Sequence, residues 1–446
     1  MTEVDLARLQ FATTASLHFL FVALTLGLVT VVACMQTRAL RTADPELRAT
    51  RMRRVRFWGG LYVVNYALGI VSGLAQEFQF GLNWSGLSHV MGNIVGAPMA
   101  VETIVAFFLE STFLGLWAFG FNRIPAKVHG VLIWLVALTA YASAFWIMVV
   151  NGFLQKPVGY RMHDGVAEVT DWSALLTNGA TWIALAHIAG AVSVLAGLFL
   201  AAVSAYHIRR DRNVEFFRPT LVQGSWLATG GAFAAIAVGF MSYEPLKDYQ
   251  PAKYALLTDG ADDLAKAKAA AEALHGPGDW TPPSWITETA NLMMLVAFLV
   301  LLIGWLPATA ARTGGAKPPS ARTFRLRLAM ILLPLAPFAL ICGWLTREVG
   351  RQPWMVTGEL TVKQAIGDVS WGGMLTSYLA FTVILLVLAV VDVSLLCRYA
   401  LLGPDGGLLS DDDLFPVDGR RPGAGTPTPT AVGAGGRGGT SVPHAY

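Results

Sequence analysis

ATTASLHFLFVALTLGLVTVVACM, residues 12–35, carries no charged side chain. About 20 such residues cross a bilayer core of about 30 Å. Further runs of this kind fall near 58–79, 97–120, 129–152, 182–206, 221–243, 286–308, 325–346 and 373–399. Their length, without a two-residue period, predicts helices rather than barrel strands. The expected fold is an all-α integral membrane protein, a bundle of about nine transmembrane helices within residues 1–402. With 446 residues, 54% hydrophobic and 14% charged, the chain is too apolar for a soluble protein of this size.

Glu3, Asp5 and Arg8 precede the first run in place of a basic leader, so that run is expected to remain as a span. Cys34, Cys342 and Cys397 lie in or at the ends of apolar runs, which argues against a disulfide framework and a cysteine zinc site. No CxxCH occurs, so covalent haem attachment is not expected. The formal charge of +3 is small and the basic residues sit between the apolar runs, so no nucleic-acid partner is expected.

Arg38, Arg41, Arg48, Arg51, Arg53, Arg54 and Arg56 follow the first run, and the positive-inside rule puts them on the cytoplasmic side. Arg209, Arg210, Arg212 and Arg218 follow the fifth run; Arg312, Lys317, Arg322, Arg325 and Arg327 follow the seventh. Alternation then leaves the N-terminus outside and the C-terminus cytoplasmic. Residues 244–285 form an outer segment with a helix-prone stretch, ADDLAKAKAAAEAL, and a Pro-rich exit. Residues 403–446, rich in Gly, Pro, Ser and Thr, read as a disordered cytoplasmic tail. No internal repeat is evident, which weighs against an inverted-repeat transporter.

The residues able to bind metal or move protons concentrate toward the outer half. His18 lies about one turn into the first span and His187, in LAHIAG, at the outer end of the fifth. Either imidazole suits haem iron or, alternatively, is a core histidine bonded to a backbone carbonyl. Met293 and Met294 lie about two turns into the seventh span and are either packing or a thioether ligand opposite an imidazole. AVETIVAFFLEST carries Glu102 and Glu110. Eight α-helical residues turn about 800° and rise about 12 Å, so the two carboxylates are expected on adjoining faces at two depths. A carboxylate in a membrane is either a functional group, such as a proton relay, or one bonded to a neighbouring helix. Ser111 either extends a proton wire or is a small residue at a helix contact. REVGRQPW places Glu348 and Arg351 around a glycine, with Trp344 and Trp354 readable as interface belt.

RLQFATTASLHFLFVALTLG, QEFQFGLNWS, GAPMAVETIVAFFLESTF and GRQPW resemble subunit I of the cytochrome bd-type quinol oxidases. That resemblance implies nine helices with the N-terminus outside, three haems near the outer face, quinol oxidation and reduction of dioxygen to water. Proton-motive force would arise without pumping. It implies His18 as axial ligand in a two-haem oxygen site and Glu348 as ligand of its high-spin haem b. His187 and Met293 would hold a low-spin haem b, and the remaining haem would be haem d or a third haem b. Glu102 lies beside the oxygen-site haems in the family, Glu110 resembles its proton-pathway carboxylate, and Arg351 a residue near the haems. The segment 244–285 matches the quinol-binding loop, with Lys253 as its lysine. A second membrane subunit, with or without a small accessory subunit, would complete the enzyme in the bacterial cytoplasmic membrane.

The sequence departs from the family pattern in places. Asn291 stands where an Arg precedes the methionine ligand, so a haem contact is lost or replaced. Thr258 stands where a Glu follows the lysine, with Asp259 adjacent as a substitute, and Asn93 replaces an Asp. Two alternatives therefore accompany the quinol oxidase: a relative with an altered donor site, and a non-redox proton or solute transporter.

Overall fold

The computed structural model describes residues 2–311 and 319–410; Arg312, Lys317 and residues 411–446 of the expected tail lie outside the described residues. Among them, eight helices are long and apolar enough to cross a membrane: Glu3–Leu40, Pro45–Asn83, Ala126–Gln155, Trp172–Arg209, Val214–Tyr249, Ile286–Ala311, Ser320–Arg351 and Trp371–Leu402. The expected 97–120 span takes a different form. Ser85–Glu102 is α-helical, Thr103–Glu110 is π-helical and Ser111–Phe119 is α-helical again, following one another without a break. Pro98 lacks an N–H for the helical ladder, and the wider π turn winds fewer degrees per residue than the α-helix assumed for the Glu102–Glu110 spacing.

The first helix is the hub, touching Pro45–Asn83, Ala126–Gln155, Gly179–Arg209, Leu335–Glu348 and Trp371–Leu402. A residue on it is thereby within reach of most of the bundle. Gly179–Arg209 and Val214–Met241 approach closely through small residues: a Cβ on Gly197 would lie 2.4 Å from the Ala228 nitrogen and 2.6 Å from the Gly224 oxygen. At the arginine-rich end, Arg54 donates to the Phe216 carbonyl, Arg56 to the Leu409 carbonyl, and His207 Nε2 to the Ala400 carbonyl. Leu409 is fully buried there, so residues 403–410, read as the start of a disordered tail, instead pack on the second helix.

At the other end Gln250 donates to Gln155, and Gln155 in turn donates to Glu348, joining three helix ends. Two short hairpins, Tyr160–His163 with Val166–Val169 and Trp354–Val356 with Leu360–Thr361, cover this end. The second hairpin buries Met355 and Val356 in a core cluster with Leu6, Trp84 and Phe153. The expected 244–285 segment is three helices, Tyr243–Tyr249, Pro251–Leu257 and Ala261–His275.

Candidate functional site

Two cavities lie side by side. The first, ≈ 280 Å³, is lined by His18, Tyr66, Glu77, Glu102, Glu110 and Asn151 among others. The second, ≈ 230 Å³, is lined by His187, Met293, Met294, Tyr249, Lys253 and Arg347 among others. Phe19, Ile188 and Trp344 line both. Trp344, read from the sequence as interface belt, is thus a partition: it stacks on Phe19 and its indole nitrogen is buried without a partner.

Each cavity receives one imidazole in a fixed tautomer. Ser72 Oγ spends its proton on the Gly69 carbonyl at 2.7 Å, so its 2.8 Å contact with His18 Nδ1 has the ring as donor. His187 Nδ1 lies 2.9 Å from the Ala235 carbonyl, which can only accept. In both rings Nδ1 carries the hydrogen and the Nε2 lone pair is free, the arrangement a metal-bound histidine needs. Glycines make room beside them: the Cβ positions of Gly73 and Gly239 fall 3.4 Å from the two rings, and that of Gly343 only 2.8 Å from Met293 Sδ. Apolar walls, free Nε2 atoms and a thioether lining the same cavity as His187 fit a porphyrin iron.

Glu102 and Glu110 both line the first cavity, as carboxylates on adjoining faces can. Ser143 Oγ donates to Glu102 at 2.7 Å, and Thr103 Oγ1 donates to Glu77 at 2.7 Å. Ser111 Oγ is 3.2 Å from the Tyr66 hydroxyl, and Tyr62 sits beside Glu110, one oxygen of which is buried without a partner. Of these, Tyr66, Glu77, Glu102, Thr103, Glu110 and Ser143 line the cavity.

Glu348 and Arg351 line neither cavity. Glu348 is almost fully buried, accepting from Asn151 Nδ2 at 2.7 Å and from Arg351 at 2.8 Å. Arg347 Nε reaches the same Asn151 through its Oδ1 at 2.7 Å, so Asn151 bridges the two cavities. Arg351 keeps Nε and Nη1 buried without acceptors.

Lys253 is buried and donates to the Arg347 carbonyl at 3.2 Å. It lies on Gly350, whose Cβ position would be 2.7–3.2 Å from the lysine side chain. Burial, helped by the Arg347 charge, pulls its ammonium down to about 7. Asp259, by contrast, is exposed in a left-handed turn, and Thr258 bonds its own helix through the Tyr254 carbonyl; neither lines the cavity. Asn291 is also exposed and outside it. Trp354, the other tryptophan read as belt, stacks on Trp280 at 4.9 Å and meets His275 at 4.7 Å, docking the 244–285 segment on the GRQPW hairpin.

Glu77, Ser72, Asn151, Gln155 and Arg347 were not singled out from the sequence. Glu77 lies inside the quoted QEFQF and Arg347 opens REVGRQPW, so both stood in view. Asn151 and Gln155 are amides whose role appears only when three helix ends meet.

The family description cytochrome bd terminal oxidase subunit I matches residues 6–274 and 258–404. The chain is 34% identical over 443 residues to cytochrome bd ubiquinol oxidase subunit 1 of Bacillus subtilis (strain 168), covering 89% of this chain and 93% of that one. It is 39% identical over 256 residues to cytochrome bd-II ubiquinol oxidase subunit 1 of Escherichia coli (strain K12), covering 57% and 49%. In fold it is similar to the bd oxidase structure from Geobacillus thermodenitrificans, with TM-score 0.79 at 23% identity over 90% of this chain and 99% of that one. The chain therefore belongs to the cytochrome bd terminal oxidase subunit I family, multi-pass membrane oxidoreductases that carry haem.

Proposed function

We propose that this chain takes electrons from a quinol at the Lys253 cavity and delivers them to dioxygen at the His18 cavity, forming water. What carries this is the pair of adjoining cavities, each with one imidazole whose Nε2 is free, divided by a single aromatic wall. Membership of an oxidase family sets the transporter alternative aside.

His187 and Met293 would hold a low-spin haem b; His18 would serve the oxygen site. Glu348 would ligate its high-spin haem b by giving up the Asn151 hydrogen bond, with Arg351 holding the other carboxylate oxygen. The third haem is d or b. Bound there, haem iron supplies one-electron transfer and the reduction of dioxygen. Lys253, held on Gly350 by the Arg347 carbonyl, orients the donor beneath the docked 244–285 segment. Ser111 and Tyr66 pass protons to Glu110, and Glu102 and Glu77 continue the line along the same cavity. Trp344 and Phe19 keep water from crossing between the compartments.

In this arrangement the arginine clusters face the cytoplasm, the N-terminus lies outside, and protons are drawn from the cytoplasm to an outer-half site, generating proton-motive force without pumping. A second membrane subunit, with or without a small accessory one, completes the enzyme in the bacterial cytoplasmic membrane. Oxygen uptake by the purified complex with ubiquinol or with menaquinol is the test. Uptake with one of them is expected. No uptake with either, despite bound haem, favours the altered donor that the positions of Thr258, Asp259 and Asn291 raise.

A further inference from the structure

Among the described residues, the two cavities are lined by ionisable side chains of opposite kind. The first is lined by Glu77, Glu102 and Glu110 and by no Lys or Arg. The second is lined by Lys253 and Arg347 and by no Asp or Glu. An enclosed cation without a counter-charge is costly, so the second cavity is built for an occupant that brings anionic groups.

Arg347 is the less satisfied of the two cations. Its Nε donates to Asn151, while its Nη2 is enclosed and has no acceptor. The nearest carboxylate, Glu348, is 3.9 Å from Nε and already takes 2.8 and 2.7 Å hydrogen bonds from Arg351 and Asn151. Lys253, Arg347 and Arg351 thus share a single carboxylate. With Nε pinned by Asn151, the outer edge of the guanidinium remains for a carboxylate, the partner its fork fits best.

Position matters as much as charge. Arg347 is one turn beyond Gly343 on the same helix, and the Met293 sulfur lies against Gly343. A group held by Met293 and His187 would therefore occupy the cavity that Arg347 lines. Asn291, two residues before Met293, is a neutral amide, exposed and lining neither cavity, so it offers such a group neither charge nor contact.

We propose that Arg347 pairs with a propionate of the group held by His187 and Met293, supplying from the neighbouring helix the cation missing at Asn291. This rests on assigning that cavity to a low-spin haem. A carboxylate of haem and the oxyanion of a bound quinol share the chemistry Arg347 selects; the haem source is favoured because Arg347 is one turn from Gly343, against which the Met293 sulfur lies.

The test is Arg347→Gln and Arg347→Lys in the full complex, read by haem content, by the midpoint potential of the low-spin haem and by quinol KM. A cation beside a propionate stabilises the added electron. Arg347→Gln is therefore expected to lower the reduction constant of the low-spin haem at least tenfold, about 59 mV for one electron, or to release that haem alone. Arg347→Lys is expected to recover most of the shift. Unchanged low-spin haem content and potential in Arg347→Gln overturns the pairing. A raised quinol KM with an unchanged potential overturns it in favour of the quinol. Loss of every haem in both variants overturns it in favour of a bracing role through Asn151. A wild-type complex without haem instead defeats the cavity assignment itself.

Discussion

Phe19 and Trp344 stack with ring centroids 5.0 Å apart and planes 14° from parallel, and the pair is the wall common to both cavities. One aromatic layer, with Ile188, is all that lines both cavities, so their contents lie close in space. Trp344→Ala should open that wall. We expect a lower unfolding temperature, with the low-spin and oxygen-site haem signals both perturbed. A change confined to one signal would show that the wall serves only one cavity.

The two imidazoles should separate cleanly. His187→Ala removes the free Nε2 from the second cavity and leaves the Ser72–His18 pair untouched. The low-spin haem signal should vanish while oxygen-site haem remains detectable in the absorption spectrum. Retention of both signals would remove His187 from the ligand set.

Proton delivery is expected to depend on Glu110, which is buried at the end of the Ser111–Tyr66 pair. Glu110→Gln keeps the shape and removes the exchangeable acid. Oxygen consumption should fall on the order of 10²-fold with haem content unchanged. An unaltered turnover would exclude this carboxylate from the route.

Gly350→Ala tests the donor end. The added methyl would fall 2.7–3.2 Å from the Lys253 side chain and displace its ammonium from the Arg347 carbonyl. Quinol KM should rise several-fold, on the order of the 1 kcal/mol that one hydrogen bond contributes, with both haem spectra as in the wild type. An unchanged KM would mean that Lys253 does not position the donor.

The helical fold was legible because hydrophobic length alone specifies a transmembrane helix, as residues 12–35 illustrate. The third span was less so. An apolar run does not reveal whether it winds as an α- or a π-helix, and the change at Thr103–Glu110 was not visible in the sequence. His18, His187 and Met293 could be picked out inside apolar runs, and Lys253 through the resemblance of its segment to the family's quinol-binding loop; each lines one of the two cavities. Trp344 and Trp354 could not, since a tryptophan near a helix end ordinarily sits at the membrane interface. Their partners, Phe19 and Trp280, are distant in sequence. Arg347 was hidden for a related reason. A loop-proximal arginine is unremarkable until the helix carrying it is seen to place it one turn from the Met293 contact.

The most direct measurement is the reduced-minus-oxidised absorption spectrum of the complex purified from cells supplied with porphyrin. Two adjoining cavities with separate ligand sets predict a low-spin b signal together with distinct oxygen-site bands. A preparation lacking haem bands altogether would contradict the assignment of both cavities.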